Sequence, residues 1–164
     1  MTAPTLENKV AVIAGGGKNL GALIASQFVA AGAKGLVLHY NSDSSRAETE
    51  QTAAALKEKG ADVITFQGDL AVVDNNVRLF DQAKAHFGQV HVAINTAGVV
   101  IKKPIADVTE ADYDKSFDAN AKAAFFFMQQ AGRTLEERGS IVTIVSSLLA
   151  TQLVSRVRET FQVE

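Results

Sequence analysis

Short apolar runs and helical stretches alternate along the chain. Val10, Ala11, Val12, Ile13 and Ala14 form an unbroken apolar run, the pattern of a parallel strand covered on both faces. Similar runs at residues 36–40, 63–66, 90–94 and 141–145 predict four more strands. After the first run the period changes. Leu23, Ile24, Phe28 and Val29 line one side of a helix expected over residues 20–31, with Ser26 and Gln27 on the other side. Gly32 suits a left-handed stop for that helix. A second helix is expected from near Ser45 to Gly60, turning Ala47, Ala54, Ala55 and Leu56 toward the sheet. A third, over residues 73–87, carries Val77, Phe80, Ala83 and Ala85 among polar neighbours and stops at Gly88. Thr109, with Asp112 three positions on, reads as the cap of a long helix reaching Glu137. Its middle, residues 119–128, is apolar enough that more than one face is expected to be covered.

Strands and helices alternating in this way predict a three-layer, Rossmann-like α/β fold. Right-handed crossovers build a parallel sheet whose order begins 3-2-1-4-5, with helices on both faces. In such a sheet the order reverses between strands 1 and 4, and a crevice opens there at the carboxyl ends of the strands. The segment from Gly15 to Gly21 and the segment from Asn95 to Gly98 both fall at that crevice.

The first of these has the chemistry of a phosphate site. Gly15, Gly16, Gly17, Lys18, Asn19, Leu20 and Gly21 join the first strand to the first helix. A helix start offers unpartnered N–H groups and partial positive charge to a pyrophosphate. Glycine at Gly15 and Gly17 lets the backbone approach, and Gly21 lets the helix sit tightly on the strands. A strict G-x-G-x-x-G fails, because Leu20 stands where the last glycine belongs, and Asn19 and Leu20 after Lys18 exclude a Walker-type loop. An ordinary glycine-rich connection is the alternative.

The end of the second strand bears on which dinucleotide fits. His39, Tyr40, Asn41 and Ser42 present no carboxylate before Asp43, where an acid would hold a free ribose 2′-hydroxyl. Ser42, Ser44, Asn41, Lys18 and Arg46 suit a 2′-phosphate instead, so NADP(H) is expected over NAD(H). Asp43 weakens this if its side chain turns inward, and the alternative is that Lys18 and Arg46 are solvated surface charges.

Composition narrows the classes. The 164 residues, 47% hydrophobic, suffice for one domain. A net charge of -2 gives no basic surface for nucleic acid or acidic lipid, and the absence of cysteine removes disulfides, thiolate nucleophiles and cysteine zinc sites. His39, His86 and His91 are scattered, so no metal centre is expected. There is no apolar run of membrane-spanning length and no export signal in MTAPTLENK, which makes the cytoplasm the expected location.

Several motifs, in order, resemble those of the short-chain dehydrogenase/reductase family, particularly ketoacyl-carrier-protein reductase-like and fungal NADPH-dependent reductases. AGGGKNLG is similar to the family's T-G-x-x-x-G-x-G, with Ala14 for the threonine and Asn19 for the middle glycine. Asn tolerates the left-handed backbone such a position requires. Asn95-Thr96-Ala97-Gly98 resembles N-N-A-G, Asp69-Leu70 the acidic position beside the adenine, and GSIVTIVSS the segment that ends in the catalytic serine. The resemblance spans about residues 6–150. It implies a partial NAD(P)-binding Rossmann domain over 1–150 and hydride transfer to or from a small carbonyl or alcohol. Cofactor contacts are implied for Gly15, Gly17, Lys18, Asn19, Leu20, Gly21, Tyr40, Asn41, Ser42, Asp69, Leu70, Asn95, Ala97 and Gly98, and catalytic roles for Ser146 and Asn120. In the family a serine holds the substrate oxygen, a tyrosine exchanges the proton, a lysine lowers the tyrosine pKa, and the asparagine holds a water.

The pattern breaks after Ser146. The family's Y-x-x-x-K falls on Glu159 and Val163, and the two tyrosines, Tyr40 and Tyr113, lie elsewhere in the chain. Residues 151–164 are expected to be a divergent tail, with Leu153, Val157 and Phe161 spaced for a short amphipathic helix. The chain is therefore expected to be C-terminally truncated, with an incomplete sheet and impaired catalysis. Two alternatives are a partner or tail that completes an active enzyme, and a non-catalytic interaction or regulatory domain that keeps the fold. A homo-oligomer is expected through helix 109–137 or the exposed sheet edge.

Overall fold

The computed structural model describes residues 5–145. Five parallel strands, β1 (Val10–Ala14), β2 (Gly35–Tyr40), β3 (Asp62–Gln67), β4 (Val92–Asn95) and β5 (Ser140–Thr143), form one sheet in the order β3-β2-β1-β4-β5. The crossovers carry α1 (Asn19–Ala30), α2 (Arg46–Glu58) and α3 (Val73–Phe87), followed by α4 (Glu110–Phe117) and α5 (Ala123–Thr134). This is the Rossmann-like topology that the alternating pattern predicts. The expected tail helix, and Ser146 with it, lie outside the described residues.

Alternate residues of the inner strands feed two cores. Val12, Ala14 and Val37 pack with Leu79, Phe80 and Ala83 of α3 and Phe127 of α5. Ala11, Ile13, Leu36 and Leu38 pack on the opposite face with Ala25, Ala53 and Leu56. β1 sits in register between β2 and β4, Ile13 beside both Leu38 and Ile94, so its apolar run is covered on every side. The Phe80 and Phe127 rings, both fully buried, meet at 5.2 Å between centroids and join α3 to α5. Each such ring contributes roughly 1.5–3 kcal/mol by burial.

Three expectations about helices need correction. In α1 the sheet-facing positions are Gly21 and Ala25, flanked by Ile24, Phe28 and Val29, whereas Leu23 is 57% exposed. In α2 the face is Thr49, Ala53 and Leu56, while Ala47, Ala54 and Ala55 are exposed. Thr49 is tolerated inside because its hydroxyl donates to the Ser45 carbonyl one turn back, at 2.8 Å. The long helix expected from Thr109 to Glu137 runs continuously from Glu110 to Thr134 and ends three residues short. Thr109 and Asp112 form the expected reciprocal cap, but residues Asp118–Lys122 make a π-helical turn between α4 and α5. After Thr134 the Glu136 N–H leaves the helix to donate to Val90 O at 2.9 Å. The apolar middle of that segment is covered mainly on one side: Ala123, Ala124 and Phe127 are buried, but Phe125 is 57% exposed.

Candidate cofactor site

At the carboxyl end of β1 the chain turns at Gly15, whose φ of +71° favours glycine. It then enters α1 through Asn19 at φ +48°, so an asparagine supplies the left-handed residue for which it is suited. Lys18 precedes the helix without a side-chain cap, leaving the first-turn N–H groups of Asn19, Leu20 and Gly21 without intrahelical partners.

The turn is held by neighbouring elements. Gly16 N–H donates to His39 O at 3.0 Å, and Gly15 N–H donates to His39 Nδ1 at 3.2 Å. The Thr52 hydroxyl donates to Gly17 O at 2.8 Å, and the Thr96 hydroxyl to Ala14 O at 2.8 Å. Glycine is demanded here by close packing inside the protein. A Cβ on Gly17 would lie 1.9 Å from Thr49 Oγ1, and one on Gly21 would lie 2.1 Å from Gly15 O. The approach of α2 and of the turn's own backbone thus explains both positions before any phosphate is considered.

A cavity of about 320 Å³ opens over this turn. Of the residues singled out from sequence, Gly15, Gly17, Lys18, Asn19, Leu20 and Gly21 line its floor, and Tyr40, Asn41, Asp69 and Leu70 line one side. Ala97 and Gly98 face them from the β4 side. Asn95 and Ser42 do not line it. Asn95 is buried and accepts the Ala97 N–H on its Oδ1 at 3.1 Å, so it shapes the loop from behind. The Ser42 hydroxyl is exposed, 2.9 Å from that of Ser44.

Asn120 lies outside the cavity lining, in the π-helical turn. Its Oδ1 accepts the Val99 N–H at 2.9 Å while its Nδ2 donates to Val99 O at 2.9 Å and to Ser116 Oγ at 3.3 Å. This amide therefore pins the loop after β4, and Gly98 beside it has no room for a Cβ, which would sit 2.8 Å from Asn120 Oδ1.

The basic groups proposed for a 2′-phosphate differ in their engagement. Lys18 is exposed at the turn. Arg46 already donates to Asp43 Oδ1 at 2.7 Å and to Gln67 Oε1 at 2.6 Å, so Asp43 turns toward the guanidinium and occupies part of its capacity.

Sequence reasoning gave no site role to His39, Ser45, Thr49 and Val99, which also line the cavity, as does Thr96 of the segment from Asn95 to Gly98 expected at the crevice. A histidine inside an apolar strand run was the available signal for the first. His39 is 2% exposed and its Nε2 donates to Gly68 O at 2.7 Å. Burial pushes its pKa down to about 4, against smaller opposing effects of the Gly68 hydrogen bond and the Asp69 charge. Nothing in the spacing marked Thr49.

Residues 9–156 match the family model described as short chain dehydrogenase. The chain belongs to that family. The short chain dehydrogenase/reductase nsrJ of Aspergillus novofumigatus is 37% identical over 146 residues, covering 89% of this chain and 54% of the relative. Elsinochrome reductase 1 of Elsinoe fawcettii is 34% identical, again with 89% of this chain and 54% of the relative covered. The chain thus spans about half the length of these short chain dehydrogenases. Among solved structures, a putative dehydrogenase from Burkholderia cenocepacia with bound NADP superposes with a TM-score of 0.86 at 51% identity, over 90% of this chain and 56% of that one. A short chain dehydrogenase from the same organism, strain J2315, in complex with NADP, gives a TM-score of 0.85 at 27% identity, over 96% and 64%.

The donor set fits a dinucleotide. An uncapped helix start, a glycine turn with its carbonyls drawn onto Thr52 and Thr96, and an apolar-walled cleft at the sheet reversal are what an adenosine pyrophosphate requires. Among the described residues no cluster of three or more His, Asp or Glu is placed to hold a metal ion. No helix among them is long and apolar enough to cross a membrane.

Proposed function

We propose that this chain forms the NADP(H)-binding half of an oxidoreductase that moves hydride between the nicotinamide and a small carbonyl or alcohol. The observation that carries this reading is the uncapped start of α1 over a glycine turn at the reversal between β1 and β4. NADP bound to structural relatives supports it. The N–H groups of Asn19, Leu20 and Gly21 receive the pyrophosphate, and Asp69 and Leu70 flank the adenine. Tyr40, Asn41 and Ser42, with Lys18 and a released Arg46, surround the 2′-phosphate, which makes NADP(H) preferred over NAD(H). Ala97 and Gly98, shaped by Asn95, form the opposite wall. The nicotinamide supplies the hydride when bound. By resemblance Ser146 holds the substrate oxygen and Asn120 holds a water on the proton path.

The 164-residue polypeptide taken alone is proposed to be catalytically impaired. Proton exchange needs a phenol beside an ammonium group, yet Tyr40 is buried at the adenosine end and Tyr113 is exposed on α4, and Glu159 and Val163 follow Ser146 where that pair is due. The second reading, a non-catalytic interaction domain, rests on the same absence. A cytoplasmic setting, where NADP(H) is abundant, belongs to the proposal, as does pairing of two copies through the outer side of α4 and α5 or the edge of β5. Tyr113, Phe117, Phe125 and Ile141 are exposed there.

Titration calorimetry tests the cofactor assignment: NADPH is expected to bind at least tenfold more tightly than NADH, and equal or reversed affinities overturn it. With NADPH and small ketones or quinones the polypeptide is expected to turn over at background. A turnover abolished by Ser146→Ala defeats the impairment. Appending a segment with the family's Tyr and Lys after Ala150 separates an impaired enzyme, which regains activity, from an interaction domain.

A further inference from the structure

We propose that His39 is a positioning residue of the cofactor cleft. Its imidazole, fixed in one neutral tautomer, ties the glycine turn to the loop after β3 and holds the gap that a dinucleotide must span. The inference rests on the NADP(H) reading and assigns a role to a residue for which the resemblance provides none.

The geometry is that of a strut. Nδ1 accepts from Gly15 N–H at 3.2 Å, and Nε2 lies 2.7 Å from Gly68 O. Gly15 begins the phosphate turn, and Gly68 precedes Asp69 and Leu70 on the facing wall of the cavity. The two partners have fixed roles. A backbone N–H only donates, so Nδ1 must be bare, and a carbonyl only accepts, so Nε2 must carry the proton. An imidazolium would set Nδ1–H against Gly15 N–H, two donors face to face, and release the turn.

The surroundings favour the bare form. His39 is 2% exposed, with the Phe66 ring 6.3 Å away and Asp69 the charged group acting on it. Its depressed pKa agrees with a ring that stays neutral in the cell. An apolar side chain would fill the same strand position without the cost of burying an imidazole. That cost is offset only because both ring nitrogens are paired, and both pairs run to loops of the cleft and none to the sheet.

Three variants separate the two bonds. In side-chain geometry His39→Asn keeps an acceptor near the place of Nδ1, His39→Gln keeps a donor near the place of Nε2, and His39→Leu keeps neither. Calorimetry with NADP⁺ at pH 7, with melting curves to confirm folding, is expected to show the Asn and Gln variants, each lacking one of the two ties, weakened by roughly tenfold, the scale of one lost buried hydrogen bond. The Leu variant, which lacks both ties, is expected to weaken further. Nitrogen-15 NMR of the ring in the cofactor-free chain at pH 6 should show a bare Nδ1 and a protonated Nε2.

An imidazolium or the other tautomer at pH 6 overturns the proposal. So does an Asn, Gln or Leu variant within twofold of wild type. If the Leu variant does not fold, losses of roughly tenfold in both the Asn and the Gln variants support the strut, and either of them binding like wild type refutes it. Wild type that binds no NADP⁺ sinks the cofactor reading and the role together, a result distinct from variants that bind as tightly as a wild type that does bind.

Discussion

Every residue of β1 and β2 is buried, whereas Ser140, Ile141 and Val142 of β5 are exposed, although all three strands lie in one parallel sheet. The inner strands are covered by α1 and α2 on one face and by α3 and α5 on the other. β5 has a strand neighbour on only one side among the described residues, and Val142 is 44% exposed. The contrast separates two tasks within one sheet. The dinucleotide end is braced by groups within the described chain, with His39, Thr52 and Thr96 hydrogen-bonded to a single turn. Among the described residues the β5 side offers apolar surface without comparable bracing.

The strongest challenge to the braced half is Gly17→Val. With a Cβ position 1.9 Å from Thr49 Oγ1, the turn and α2 cannot both keep their places. NADPH binding should be lost and the melting temperature should fall sharply; a variant that binds normally in calorimetry would show that the packing at Gly17 is not what sets the turn.

Inside and outside positions of α5 come next. Phe127→Ala removes a fully buried ring at the α3 contact and should cost roughly 3–5 kcal/mol in denaturant unfolding. Phe125→Ala, on a side chain 57% exposed, should change monomer stability by less than about 0.5 kcal/mol. If that outer side joins two copies, Phe125→Ala should instead lower the mass seen by light scattering. Equal stability losses at the two positions would erase the distinction between covered and open sides.

Acid provides a third comparison. His39 binds its proton less readily folded than unfolded, its pKa pushed by burial from the ordinary 6.5 down to about 4. Between those values the unfolded chain holds more protons, so stability rises with pH. The contribution, on the order of 3 kcal/mol, is complete above pH 6.5 and lost as pH falls through about 4. Urea midpoints measured between pH 7 and pH 4 should decline in wild type and decline less in His39→Asn. Parallel curves would assign the acid sensitivity to other groups.

A smaller effect is expected at the mouth of the braced half. Asp43→Asn removes the carboxylate that engages Arg46 at 2.7 Å and a negative charge near the proposed 2′-phosphate. NADPH affinity should rise about two- to fivefold with NADH nearly unchanged, as befits an exposed pair. A rise for both cofactors alike would place the effect in the turn rather than at the phosphate. Smallest of all is Gly132→Ala in α5, where a Cβ meets nothing within 4 Å. It should stabilise the chain by about 0.5–1 kcal/mol in thermal melts, in contrast to Gly17.

Much of the frame was legible because the signals were local. Five apolar runs, the stops at Gly32, Gly60 and Gly88, and the Thr109–Asp112 cap depend on neighbours a few residues apart, and the sheet order followed from alternation. Asn19 was legible as a left-handed residue for the same reason. The rotation of α2 was not. Ala54 and Ala55 looked suited to the sheet, but Thr49 takes the inner position because Gly17, far away in sequence, leaves it room. The π-helical turn was also hidden, since its Asn120 is engaged by Val99, 21 residues earlier. Gln67 shows the same limit at the cleft mouth, where it reaches Arg46 across the same number of positions.

What the sequence by itself determined was the succession of strands and helices, the site of the glycine turn and membership of a family whose motifs recur in order. Each depends on periodicity, backbone freedom or residue type within a short window. The tertiary structure decided which side chains hold that turn open: an imidazole from β2, a threonine from α2 and another from the loop after β4. Those contacts join residues 24 to 82 positions apart, and no local pattern records a distance that exists only after the strands have paired.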